Sequence, residues 1–209
     1  MHPDWLSNAY LAWDEGRREA FFVDSGAALE PLVEIVEREG LEVTALLTTH
    51  GHADHVAGDD ELERRYGVRG TQSVDWARAI PTPGHADDHV AFVVDGICFS
   101  GDLLFKDAVG GGPDAGLIRE SVLKLMELPD DTRVLPGHTD ETTIGRERAE
   151  NPFLRYWLGT TPSLDEPVRV AGEASTLVVW SPDYDGNGKA LVRLGDGREA
   201  IVGGSRVER

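Results

Sequence analysis

The sequence holds a single cysteine in 209 residues, Cys98. No disulfide can close within the chain, and any metal site must be built from histidines and carboxylates. Cys98 lies in the apolar run 90–99 (VAFVVDGICF). That setting predicts a buried structural thiol, because a nucleophilic cysteine needs an accessible, electropositive surrounding. Long apolar runs are also missing: none approaches the ~20 residues that span a bilayer. The opening MHPDWLSNAY has neither the basic nor the apolar region of a secretory leader. A cytoplasmic protein without membrane attachment is therefore expected. Basic residues are scarce too. Twenty Lys and Arg against 38 Asp and Glu leave a formal charge of −18. Such a surface repels phosphate backbones and anionic lipid, so neither nucleic acid nor a membrane is an expected partner.

What is present points to an α/β layered domain. Residues 9–24 alternate in polarity and break at EGRR, as a β-hairpin does. Residues 28–39 carry apolar positions at helical spacing and stop at Gly40. EVTALLTT is a nearly continuous apolar run, as in a strand covered on both faces. A helix is predicted over 57–66, two strands around an Asp-Gly turn over 90–99, a helix over 117–128, and a strand in RVLPGH. The interval between His55 and His85 is short, and the expectation is a helix there and little else. Composition changes after Trp157. The expected organisation is a main domain over 1–158, a linker over 159–167, and a small barrel-like (SH3-like) β module over 168–209.

The chemistry gathers around Thr49-His50-Gly51-His52-Ala53-Asp54-His55, directly after a buried strand. Alternate residues of an extended segment point the same way, so His50 and His52 can share one ion. Asp54 and His55 follow where the chain turns into a helix and can face a second. His85 (PTPGHADDH), Asp102 (CFSGDLLF) and His138 (VLPGHTDET) each follow a short apolar run in a glycine-containing turn. Strand ends collect on one edge of an α/β sheet, where such folds place their sites. A carboxylate at Asp102, after so apolar a run, needs a counter-charge, which metal ions would supply. Imidazoles with carboxylates suit zinc, iron or manganese, and the nitrogen count favours zinc.

The ordered set HxHxDH, GH, GD, GH resembles the metallo-β-lactamase superfamily over residues ~9–157, and its details resemble the glyoxalase II-like branch (hydroxyacylglutathione hydrolases). SGDLLF and GHTDETTIGRERAENPF carry the branch likeness. The resemblance implies a four-layer αββα sandwich. It further implies one divalent ion on His50, His52 and His85, a second on Asp54, His55 and His138, and Asp102 bridging them. A hydroxide between the ions would be the nucleophile, with Asp54 and Asp102 as catalytic carboxylates and a small thioester or ester as substrate. Two motifs of glyoxalase II itself have no counterpart here: the tyrosine soon after the last metal histidine, and the basic C-terminal helical domain that grips glutathione. The acyl carrier is therefore open.

Two other activities of the same superfamily remain in view. One is a mononuclear iron persulfide dioxygenase, its iron on His50, His85 and Asp102; the other is a lactone or ester hydrolase. Lys106 is a candidate contact for an anionic substrate group, against the reading of a solvated lysine. His89 is expected behind the ligands or at the surface, and His2 in a frayed terminus. Arg146, Glu147, Arg148 and Asn151 are expected to brace the His138 loop. The triplet Gly110–Gly112 lacks the GK[ST] of a phosphate loop. The Asp183-x-Asp185-x-Asn187-Gly188 stretch imitates half of a calcium loop but has Leu194 at position twelve, and a hairpin turn is expected instead.

Overall fold

The computed structural model describes residues 6–209, so His2 lies outside the described residues. The chain folds as β1 (Tyr10–Asp14), β2 (Glu19–Val23), α1 (Glu30–Glu39), β3 (Glu42–Leu47), α2 (Ala53–Val56), α3 (Asp59–Tyr66), β4 (Gly70–Thr71), β5 (Arg78–Pro81), β6 (Val90–Val94) and β7 (Ile97–Gly101). It continues with α4 (Ala115–Leu125), β8 (Arg133–Pro136), β9 (Thr142–Thr143), α5 (Ile144–Glu150) and α6 (Pro152–Trp157). The C-terminal part comprises β10 (Glu166–Val170), β11 (Glu173–Ser181), β12 (Lys189–Arg193), β13 (Glu199–Gly203), a 3-10 turn and β14 (Val207–Glu208).

Three sheets result, ordered β1-β2-β3-β4, β5-β6-β7-β8-β9 and β13-β12-β11-β10-β14. The alternation of side chains along the strands assigns the layers. Phe22 and Leu46 face outward onto Val33 and Val36 of α1 and Leu62 of α3. Their neighbours Phe21, Val23, Ala45 and Leu47 face inward onto Phe92 and Phe99 of the second sheet. On that sheet's other face, Ala91, Cys98 and Val134 meet Ile118, Val122 and Leu125 of α4. The result is helix, sheet, sheet, helix: the αββα sandwich. The third sheet adds Val178, Val179, Leu191 and Ile201 to this outer core and keeps a smaller core of its own around Leu177, Ala190 and Val192.

Local signals explain the boundaries. α1 starts with Pro31 in its first turn and ends at Gly40, left-handed at φ 59°. The Asp95-Gly96 turn between β6 and β7 has positive φ at both residues, the geometry of a two-residue hairpin. Three expectations need correction. The interval between His55 and His85 holds β4 and β5 besides α3, because two- and four-residue strands add little to a hydrophobic pattern. The helix expected over 57–66 starts later, at Asp59 after Gly58, and the separate short helix α2 precedes it. The C-terminal strands begin at Glu166, inside the segment expected to be a linker. Among the described residues no helix is long and apolar enough to cross a membrane.

Cys98 is fully buried, and burial pushes its thiol up to about 12. The native protein is expected to show no reaction with a thiol-specific disulfide reagent at pH 8, and one equivalent after denaturation. Rapid labelling of the native form would place Cys98 elsewhere.

Candidate metal centre

The C-terminal ends of β2, β3, β5, β7 and β8 and the start of β6 deliver their following or preceding residues to one place. β7 and β8 run parallel, and β6 is antiparallel to both its neighbours, so His89 lies at the same edge as Asp102 and His138. Three groups of ligand atoms lie there within 4.8 Å of one another: His50, His52, His85; His50, His55, Asp102; and Asp54, His55, His138. All seven residues singled out from the sequence are thus together.

The spacings are those of ligands around ions. His52 Nδ1 is 3.0 Å from His50 Nε2 and 3.1 Å from His85 Nε2. Asp102 lies 3.3 Å from both His55 Nε2 and His138 Nε2, and 3.5 Å from His85 Nε2. Asp54 is 3.4 Å from His138 Nε2 and 3.7 Å from His55 Nε2. Ligands ~2.0–2.1 Å from a tetrahedral zinc are separated by about 3.3 Å. Two buried atoms, His55 Nε2 and Asp102 Oδ1, have no hydrogen-bond partner among the described residues, although they lie only 3.3 Å apart. Burying an acceptor unpaired costs on the order of 1–3 kcal/mol. A cation between them removes that cost, so the donor set fits a pair of divalent ions. His50, His55, Asp102 and His138 form a buried floor, while His52 is exposed and Asp54 and His85 are half-buried. A site open on one side leaves room for substrate.

The hydrogen bonds behind the histidines fix which nitrogen faces the centre. Asp24, buried at the end of β2, accepts from the Thr49 amide and hydroxyl, each at 2.8 Å, and from His55 Nδ1 at 2.7 Å. Because the Thr49 hydroxyl gives its proton to Asp24, it must accept from His50 Nδ1, 3.1 Å away. One carboxylate therefore turns Nε2 of both His50 and His55 toward the centre. His85 Nδ1 donates to the Gly111 carbonyl and His138 Nδ1 to that of Leu6, each at 2.9 Å. His89 is buried; it accepts from the Asp102 amide at 3.0 Å through Nε2, so its Nδ1 donates to Thr82. It lies behind the ligands, as one of its two expected readings had it.

Close approach at the strand ends requires glycine twice. A Cβ on Gly137 would stand 2.2 Å from Asp102 Oδ1 and 2.6 Å from His55 Cε1. Gly101 has φ +48°, and a Cβ there would meet His89 and Thr49 below 3.0 Å. Behind the His138 loop, the buried Glu147 accepts from the Asp107 amide, the Thr142 hydroxyl and Arg146, and Asn151 caps α6 and donates to the Ala108 carbonyl. Arg148 instead pairs with Asp130. Lys106 stands 3.5 Å from the exposed Asp140, in a solvated pair.

Three contributions were not foreseen. Asp24 follows FFV at a strand end, the same signal that marked Asp102, and could have been found by it. Leu6 to Asn8 support the His138 loop: the Asn8 amide donates to the Gly137 carbonyl at 2.7 Å, and its side chain to those of Pro136 and Thr139. Tyr184, in the β11–β12 turn, lays its ring flat on the His138 imidazole, with centroids 4.3 Å apart and planes 2° from parallel. The Phe105 ring meets both edge-on.

Burial first, and the charge of His55 second, push His50 down to about 2. Burial likewise lowers His85, and takes His89 to about 3. For His55 burial acts downward, but the neighbouring carboxylates of Asp102 and Asp24 outweigh it and raise the group to about 10. His138 is also raised, its burial outweighed by Asp102, and Asp102 is held well below the carboxylate range by the close imidazoles of His138 and His55 despite burial. The two upward shifts have one cause: the carboxylates at the centre favour positive charge on the imidazoles beside them.

Residues 2–79 and 77–138 match the model of the Metallo-beta-lactamase superfamily, and the chain belongs to that superfamily. Within it, the chain is 35% identical to a hydroxyacylglutathione hydrolase of Alkalilimnicola ehrlichii, over 77% of this chain and 90% of that one. Among solved structures it is similar to the BLEG-1 B3 metallo-beta-lactamase, with TM-score 0.66 and 26% identity over 73% of this chain and 96% of the other. TTHA1623 in a di-iron-bound form superposes with TM-score 0.63 and 30% identity, covering 74% and 98%.

Two outcomes are expected. Asp24→Asn cannot serve Thr49 and both imidazoles as the carboxylate does. It should weaken metal binding about 10–100-fold in chelator competition, with the fold intact by circular dichroism. Unchanged affinity would detach Asp24 from the centre. The second concerns pH. The raised His55 favours the folded metal-free chain below about 6.5, and that contribution is lost as pH rises through about 10. Ions must displace this proton, so metal affinity should rise between pH 6 and 9 with measurable proton release. Affinity independent of pH would contradict the assignment.

Proposed function

We propose that the protein is a dinuclear metal-dependent hydrolase that cleaves a thioester, with zinc as its resident metal and iron or manganese as alternatives. The observation that carries this reading is the convergence of two three-residue ligand groups on Asp102, whose buried oxygen has no protein partner. His50, His52 and His85 are assigned to one ion, Asp54, His55 and His138 to the other, and Asp102 to both. When bound, such ions supply a nucleophilic water at neutral pH and polarise the acyl oxygen. The chain then has no need of its own nucleophile, and Cys98 is out of reach in the outer core.

The remaining work falls to the carboxylates and the walls. Asp102 neutralises charge at the floor from a buried, fixed position. Asp54 at the rim can accept a hydrogen bond from the attacking water and orient it. A thioester suits this arrangement because its thiolate leaves without strong protonation. The relative named hydroxyacylglutathione hydrolase supports the acyl-thiol class. The rim does not favour an anionic carrier, since Lys106 is paired with Asp140. An ester or lactone would be bound by the same groups. The mononuclear iron dioxygenase reading uses only His50, His85 and Asp102, and leaves the tight Asp54, His55, His138 group unexplained.

The test is elemental analysis joined to a substrate screen. About two ions per chain are expected, with hydrolysis of acyl thioesters that is abolished by chelation and restored by zinc. Asp102→Ala should lose at least one ion and about 10³-fold in kcat/KM. One iron per chain with oxygen uptake on a persulfide would overturn the proposal.

A further inference from the structure

The third sheet does not merely pack behind the sandwich; it reaches the metal centre. Gly112 and Ile201 exchange two backbone hydrogen bonds of 2.9 Å, which join the sheet to the segment whose Gly111 carbonyl orients His85. The Ser181 hydroxyl donates to the Asp107 carbonyl in the loop that follows Asp102. Between these anchors the β11–β12 turn carries Tyr184. The turn is itself held from inside. Asp183, whose side chain is 1% exposed, pairs with Lys189 at 2.9 Å, and the Gly188 amino acid packs so closely on Trp180 that a Cβ would meet its ring at 2.4 Å. A tyrosine presented by such a turn has a fixed position, and its ring is stacked on a metal ligand.

Its hydroxyl has a different standing from its ring. The half-buried phenol makes no hydrogen bond to any described residue, although His55, His85 and His138 each have a partner on the side away from the centre. A tyrosine wanted only as a lid for His138 would do its work as phenylalanine. The other unpartnered hydroxyl beside His138, that of Ser7, belongs to a fully buried residue, whereas Tyr184 is half-buried at the rim. Tyr184 also lies outside the residues matched by the superfamily model, which end at His138.

We propose that Tyr184 is a substrate-contacting residue of this site, its ring bracing His138 and its hydroxyl donating a hydrogen bond to the acyl group or leaving atom of the bound thioester. The proton stays on the phenol, and no transfer is involved. This inference rests on the hydrolase reading above. A single fixed donor at a reacting oxygen contributes on the order of 10²-fold in rate.

The experiment compares Tyr184→Phe and Tyr184→Ala with the wild type, each loaded with zinc. Metal content is measured on every sample, and the His138 ring protons are followed by NMR in the metal-free proteins. Tyr184→Phe is expected to keep two ions and the ring-current shift at His138, yet to lose at least tenfold in kcat/KM on acyl thioesters. Tyr184→Ala should lose the shift as well and be no more active than Tyr184→Phe. Wild-type turnover by Tyr184→Phe would overturn the donor role. So would a loss in Tyr184→Ala that follows its metal content while Tyr184→Phe stays intact, since the ring would then be a brace alone. A wild type holding two ions that cleaves no thioester or ester would overturn the hydrolase reading instead, a result told apart by its appearance before any substitution.

Discussion

The structure turns on a set of lone pairs that the protein does not satisfy. His55 Nε2 and Asp102 Oδ1 are buried, close together and without a hydrogen-bond partner, and His50, His52 and His85 bring three further ring nitrogens to within 3.1 Å steps of one another. Placed this way, imidazoles and carboxylates repel or go unpaired unless positive charge stands between them. The upward shifts of His55 and His138 show the same demand for positive charge. Divalent ions would provide it, and the ligand groups are spaced to hold them. Everything nearby keeps these atoms from finding cheaper partners: Asp24, Thr82, Gly111 and Leu6 each engage the far side of an imidazole or of the residue next to it.

The sandwich makes this possible because its rigid parts end at the same edge. Phe21, Phe92 and Phe99 fill the space between the sheets, and β2 and β7, which carry two of them, end directly before Asp24 and Asp102, while β6 begins directly after His89. Ligands on short turns after well-packed strands inherit the precision of the core. The cost is crowding. Gly101 and Gly137 appear where two strand ends come so close that a methyl group would displace Asp102 or His89.

How much of this the sequence discloses depends on distance along the chain. HxHxDH is local, and the spacing of four ligands in six positions declares itself. His85, Asp102 and His138 are legible because each ends an apolar run, and the layers are legible because β-alternation and helical periodicity are local as well. Asp24 escaped notice although it obeys the same strand-end pattern, since its partner His55 is 31 residues away and a lone carboxylate suggests nothing by itself. β4 and β5 are too short to alter a hydrophobic pattern, and they are strands only because β3 and β6 pair with them. Tyr184 was the least legible. The acidic, glycine-rich stretch around it is a hairpin turn, as its composition indicates, but a turn's composition carries no information about what it touches.

That last contact suggests how the two parts of the chain divide their work. Ligands must be held to a fraction of an ångström, and they come from the sandwich, whose pattern the superfamily model covers through His138. The residues that meet a substrate must differ from one member to another, and they are better placed on an element that can change without moving the ligands. The third sheet meets that condition. It touches the centre at Tyr184, at the carbonyl of Asp107 and through the Gly112–Ile201 bonds, and it contributes no member of the ligand groups. Its own core of Leu177, Ala190 and Val192 holds its strands together, while Val178, Leu191 and Ile201 lock it to α4 and α6. A sheet with one face for itself and one for the sandwich can carry a turn to the rim with little freedom to swing. The physical requirement is rigid placement of a wall beside the ligand groups, and the third sheet supplies such a wall from residues well beyond His138.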